Sequence, residues 1–150
     1  MVILAAVGER ESNTSVIETA HDLATAYEDE LQVLHVIPDA DTSSHFQRLR
    51  RTATFSDDEF TVSPEQAETV AERLIEKAID TDRDGVVPVG RVGAPGEEIL
   101  RLADEIDARY LVIGGRKRTP AGKALFGSIA QQVILDANQP VVTQSTTPDL

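Results

Sequence analysis

Apolar residues in this chain alternate between two periods, and that alternation leaves few folds open. Val2–Val7 is an unbroken apolar run, the mark of a strand covered on both faces. Val16, Ile17, Ala20, Leu23, Ala24 and Tyr27 then share one helical face, entered at Ser12 or Ser15. The patterns repeat as strand Leu31–Ile37, helix Pro64–Asp80, strand Gly85–Val89, helix Pro95–Ile106, strand Tyr110–Ile113, helix Ser128–Ala137 and strand Val141–Gln144. Five strands interleaved with four helices predict an α/β fold with a mainly parallel sheet.

Local signals sharpen several elements. Ser63, Pro64 and Gln66 supply an N-cap, a first-turn proline and a capping-box partner. Ser128 and Gln131 repeat the capping-box spacing, and Ile129, Val133 and Ile134 give the last helix an apolar face. Pro88 predicts an edge position for its strand, because proline cannot donate to a ladder. The domain is read as residues 1–144. Pro38–Val62 is a long acidic connection expected to be partly mobile, with residues 46–51 forming a short helix, a lid or a surface loop; 145–150 is a loose tail.

Composition excludes whole classes of function. Cysteine is absent, which removes disulfides, thiol nucleophiles and thiolate metal sites. No apolar run approaches the roughly 20 residues that cross a bilayer, and no signal-peptide pattern opens the chain, so a cytoplasmic location is expected. The net charge of -12 opposes binding to bare nucleic acid and to anionic lipid. Eleven arginines stand against three lysines (Lys77, Lys117, Lys123). Abundant carboxylates with scarce lysine resemble the surfaces of proteins from salt-loving organisms, the alternative being an ordinary acidic mesophile.

Chemistry concentrates between Tyr110 and Ser128. A buried strand runs into Gly114-Gly115, then a basic stretch carrying Arg116, Lys117, Arg118 and Lys123, then Gly127-Ser128 at a helix start. Unpaired N–H groups, the positive end of the helix dipole and glycines that let the backbone approach an anion together predict a phosphate cradle. Glycine also follows two other strands, at Gly8 and Gly90–Gly93, where it could equally serve a plain turn. A P-loop is excluded because position 117 is lysine and Ala124 stands where Ser or Thr would bind a metal. A dinucleotide G-x-G-x-x-G fingerprint is absent from the first βα turn.

No catalytic constellation is legible. His21, His35 and His45 lack metal-ligand spacing, and His35 reads as a core or interface residue rather than a base. There is no G-x-S-x-G elbow. No catalytic residue and no protein-held metal are therefore assigned.

The chain resembles the universal stress protein family over nearly its whole length. The resemblance is carried by Gly114-Gly-Arg-Lys117, nine further residues and Gly127-Ser128, which is similar to the family's G-2x-G-9x-G-[ST] motif. Ile3-Leu-Ala-Ala-Val7, Leu34-His-Val-Ile37, Gly93-Ala-Pro-Gly-Glu-Glu-Ile99 and Asn138-Gln-Pro-Val-Val142 add to it. It implies a Rossmann-like five-stranded parallel sheet in the order 3-2-1-4-5 and a homodimer paired through Val141–Gln144. It also implies binding of ATP or ADP, with Mg2+ or Mn2+ as companion ion, in stress response or signalling. Val36 would meet the adenine through its backbone and Gly93 the ribose or phosphates. Gly114, Gly127, Ser128 and Ile129 would hold the phosphates, with Arg116 and Lys117 adding charge.

Two positions depart from the family pattern. The second loop glycine is Lys117, and the acidic residue after strand one is Gly8, with Glu9 or Glu11 as possible substitutes. The alternative reading is a nucleotide-free dimeric interaction protein on the same fold. Enzymatic activity would amount at most to slow ATP hydrolysis.

Overall fold

The computed structural model describes residues 1–39, 62–116 and 126–146. Its strands are β1 (Val2–Ala6), β2 (Glu30–Ile37), β3 (Val86–Val92), β4 (Tyr110–Arg116) and β5 (Val141–Thr146). The helices are α1 (Thr14–Tyr27), α2 (Pro64–Ala78), α3 (Pro95–Glu105) and α4 (Ser128–Asp136). All neighbouring strands pair in parallel, in the order β3-β2-β1-β4-β5. This is the order that the resemblance implied.

Strand β1 divides the core because it lies at the centre of the sheet. Ile3, Ala5 and Val7 turn to one face and pack with Val16, Ile17 and Ala20 of α1 and Ala71, Leu74 and Ile75 of α2. Leu4 and Ala6 turn to the other, against Ile99, Leu102 and Ala103 of α3 and Val133 of α4. An unbroken apolar strand is what a sheet covered on both faces needs. The chain winds outward from β1 to β3 and resumes at β4 on the other side of β1. The crevice at the carboxyl ends of β1 and β4 is therefore the switch point of the fold.

Several boundaries differ from expectation. Strand β3 runs on through Gly90 to Val92 instead of stopping at Val89, and β4 includes Gly114, Gly115 and Arg116. Ser145 and Thr146, expected in a loose tail, extend β5 by pairing with Gly115 and Arg116. Helix α1 begins at Thr14 behind a short 3-10 turn, Glu11–Asn13, rather than at Ser12 or Ser15. On α4 only Val133 is buried, while Ile129 and Ile134 are 44% and 39% exposed. The expectations for residues 40–61 and 147–150 lie outside the described residues.

The capping box at α2 is present in full. Gln66 N donates to Ser63 Oγ at 3.3 Å and Ser63 N donates to Gln66 Oε1 at 3.2 Å. Among the described residues strand β3 pairs only with β2, so Pro88 does stand at an edge.

Candidate functional site

Three segments meet at the switch point. From β1, Gly8 N donates to Asn13 Oδ1 at 3.1 Å, and Asn13 Nδ2 donates to Arg10 O at 3.2 Å. One asparagine thus folds the β1–α1 loop and occupies the Gly8 N–H. From β4, a Cβ on Gly114 would stand 3.0 Å from Thr146 Cγ2, 3.3 Å from Val16 Cγ2 and 3.7 Å from Asn13 Oδ1. Gly114 is therefore wedged between α1, β5 and the β1–α1 loop.

The third segment is the start of α4. A Cβ on Gly115 would stand 2.9 Å from Phe126 Cε1, so the Phe126 ring lies on β4 and fixes the chain just before the helix. Gly127 is the N-cap, and among the described residues nothing lies within 4 Å of where its Cβ would be and no side chain caps this helix. The expected Ser128/Gln131 box does not form: Gln131 Nε2 donates instead to Phe126 O at 2.9 Å. The first intrahelical bond runs from Gln131 N to Gly127 O at 3.0 Å. Among the described residues, the N–H groups of Ser128, Ile129 and Ala130 are thus left for a ligand or solvent at the positive end of the helix dipole.

Val36 and Gly93 lie together at the ends of β2 and β3. The Val36 side chain is buried in the core, which leaves only its backbone to face a ligand. Leu34 O accepts from Val7 N at 2.9 Å, and by the alternation of parallel pairing Val36 turns its main-chain groups to the same side. There β1 has already ended, so the Val36 backbone borders the crevice. Gly93 N donates to Ile37 O at 3.1 Å with a φ of +153°, a conformation that favours glycine. A Cβ there would also press on Glu98 Oε1 at 3.1 Å. Glu98 is itself tied to Arg101 Nη1 at 2.5 Å and lies 3.6 Å from Arg91 Nη1.

Arg116 ends β4 opposite Thr146. Lys117, Arg118 and Lys123 lie outside the described residues. Neither carboxylate offered as a substitute at Gly8 is idle. Glu11 pairs with Lys77, whose hydrogen bond and charge hold its carboxyl below the usual range. Glu9 Oε1 lies 3.9 Å from His35 Nε2. His35 is 5% exposed, a core residue as expected, with Nδ1 2.9 Å from Val7 O.

Asn13 and Phe126 organise the site, yet neither stood out in the sequence. The available signals were an Asn five residues after Gly8 and an aromatic immediately before Gly127-Ser128. At the opposite edge of the sheet a cavity of about 150 Å³ is lined by His21, Glu28, Asp29, Asp82 and Asp84. Its carboxylates have the wrong sign for a phosphate. Among the described residues, no group of three or more His, Asp or Glu could hold a metal ion.

A parallel α/β sheet with an uncapped helix start at its switch point defines an architecture suited to binding a phosphorylated ligand. Residues 1–143 match the universal stress protein family, and the chain belongs to that family. It is 50% identical over 46 residues to a universal stress protein of Mycolicibacterium smegmatis (strain ATCC 700084 / mc(2)155), a match covering 31% of this chain and 35% of that protein. The matched region is thus about a third of that relative's length. Among solved structures, a universal stress protein from Archaeoglobus fulgidus is 29% identical, with a TM-score of 0.60 over 95% of this chain and 97% of the other. The structure of the universal stress protein from Archaeoglobus fulgidus in complex with dAMP is 24% identical, with a TM-score of 0.56 over 95% and 96%.

Proposed function

We propose that this chain is an adenine-nucleotide-binding module of stress response or signalling, taking ATP or ADP across the carboxyl edge of its sheet. The carrying observation is the open, uncapped start of α4 at Gly127. Phosphates rest on the N–H groups of Ser128 and Ile129 beside Gly114, with Arg116 and Lys117 adding positive charge and Mg2+ or Mn2+ arriving with the nucleotide. Gly93 borders the ribose, and the Val36 backbone meets the adenine. Strands lie about 4.8 Å apart, so β2 and β4 stand roughly 10 Å from one another, a span suited to a nucleoside phosphate. The relative solved in complex with dAMP supports an adenine ligand. The role is binding rather than turnover, with slow hydrolysis at most.

The protein acts in the cytoplasm as a homodimer through the open edge of β5, Val141–Gln144. In this reading the acidic surface keeps it soluble at high salt. Among the described residues, no helix is long and apolar enough to cross a membrane.

A second reading, a nucleotide-free dimeric interaction protein, is favoured by the packing at the glycines. Val16, Thr146 and Phe126 account for Gly114 and Gly115, and Asn13 takes the Gly8 N–H. Extraction of denatured native protein followed by nucleotide chromatography decides between them, with a thermal-shift titration of ATP at multimolar salt if the extract is empty. Ligand at a hundred times its Kd adds about 2.7 kcal/mol of stability. An empty extract and a flat titration together overturn the nucleotide reading.

A further inference from the structure

His35 presents a buried nitrogen that no group among the described residues satisfies. Val7 O can only accept, so the 2.9 Å contact requires a proton on His35 Nδ1. In the neutral ring, Nε2 is then a bare lone pair. Among the described residues it has no hydrogen-bond partner, although the residue is only 5% exposed. Facing it at 3.9 Å is Glu9 Oε1, on a side chain 73% exposed. Two acceptors therefore confront each other across a gap that a single proton on Nε2 would turn into an ion pair.

The surroundings leave that pairing uncontested. Glu9 is the charged group within 4 Å of the ring among the described residues. The residue beside His35 on β3 is Gly90, which carries no side chain. Glu65 and Glu68 of α2, which packs over Gly90, are exposed. Arg91, Glu98 and Glu105 are occupied with one another, and Glu11 is held by Lys77.

We propose that His35 and Glu9 form a proton-operated latch on the β1–α1 loop. With Nε2 protonated, the ring pulls Glu9 inward and holds residues 8–13 against the sheet. With Nε2 bare, the loop keeps the Asn13 bonds and the Glu11–Lys77 pair but loses its hold at Glu9; Asn13 Oδ1 also borders Gly114. The latch thus reaches one wall of the candidate site, and its effect on ligand affinity rests on the nucleotide reading above. Closure also neutralises Glu9 near bound phosphate, so both effects favour binding at lower pH.

Amide hydrogen exchange tests the latch without any ligand. Protection factors for residues 8–13, referenced to amides of β1, are compared at about pH 5.5 and about pH 8, on either side of the imidazole range. In the unaltered protein they should rise about two- to fivefold at the lower pH, the range of a part-exposed ion pair. Glu9→Gln, a surface change that leaves the core intact, should abolish the rise, as should His35→Gln. An equal rise in all three proteins overturns the latch.

Binding of cyclic AMP, whose phosphodiester loses no proton in this range, then separates the two proposals. The affinity ratio between the two pH values should exceed that of Glu9→Gln by about the same two- to fivefold factor. A protection switch without binding of either cyclic AMP or ATP at either pH supports the latch and counts against the nucleotide reading. Binding with an unchanged ratio overturns the link between latch and site.

Discussion

Gly90 on β3 lies directly beneath the first turn of α2. A Cβ built there would stand 2.0 Å from Pro64 O and 2.2 Å from Glu68 N. These are backbone atoms of a helix whose capping box fixes its start, so they cannot swing aside as a side chain would. The Gly90→Ala variant is expected to lose about 3 kcal/mol, the upper part of the range for overpacked cores. Urea unfolding checks this as a lowered midpoint with an unchanged slope.

The same glycine shows where sequence reasoning ends. Read along the chain, Gly90 follows an apolar run and signals a turn, so β3 was expected to stop at Val89. It is instead a strand residue, made glycine by a helix backbone that approaches from another part of the chain. Gly114 and Gly115 repeat the lesson at β4, where Val16, Thr146 and Phe126 fill the missing side-chain space. Tertiary clearance leaves no periodic trace. The Ser63–Gln66 box was legible because its partners are three residues apart, whereas Ser128 and Gln131 share that spacing without forming a box, Gln131 being drawn to Phe126 O. Element types followed from periodicity, but strand order came only from the family resemblance. The helix start at Gly127-Ser128 was legible in the sequence; Asn13, which folds the opposite wall, was not, because its partners become neighbours only once the loop has formed.

Asp29 gives a pH dependence with a definite sign. Its carboxylate accepts from Arg109 Nε at 2.6 Å and lies 3.3 Å from the terminal ammonium of Met1. The Arg109 hydrogen bond is the main cause holding its pKa below the ordinary 3.8, with the N-terminus assisting. A depressed carboxyl stabilises the fold above its unfolded value and loses that contribution as protons bind to the folded form. The thermal midpoint should therefore fall as pH drops below about 3.8. Asp29→Asn should lower the midpoint at neutral pH and flatten this acid limb; an equally steep limb in the variant would count against Asp29 as its source.

At the candidate site, stability and binding should move in opposite directions. Aspartate at position 127 would cap α4, which glycine leaves uncapped, and add a few tenths of a kcal/mol. It would also place a carboxylate where phosphate is proposed to rest. Gly127→Asp is thus expected to raise the thermal midpoint slightly while reducing ATP affinity by at least about tenfold, a change of about 1.4 kcal/mol. Calorimetric titration beside a melting curve checks both signs in one preparation.

The proposed dimerisation can be probed through a single amide. Leu111 N donates to Pro140 O at 3.0 Å, so by alternation the even-numbered residues of β5 face β4 and Thr143 directs its N–H to the open rim. Thr143→Pro removes that outward donor and spares the β4–β5 ladder. Light scattering should report a monomer for the variant and a dimer for the unaltered protein, with the far-ultraviolet spectrum unchanged.

Pro88 gives this rim its counterpart on the far side of the sheet. Gly93 N reaches Ile37 O, so the odd-numbered residues of β3 bond inward and position 88 faces outward. The outer rim of β3 therefore has no amide hydrogen there to offer a passing strand. A slab with two adhesive margins could stack copy upon copy into a ribbon, whereas one with a single adhesive margin is finished after its first handshake. In the proposed dimer, proline on one flank of the sheet would set a ceiling of two on growth through the other, and would guard an acidic α/β protein against polymerising along its own hydrogen-bond direction.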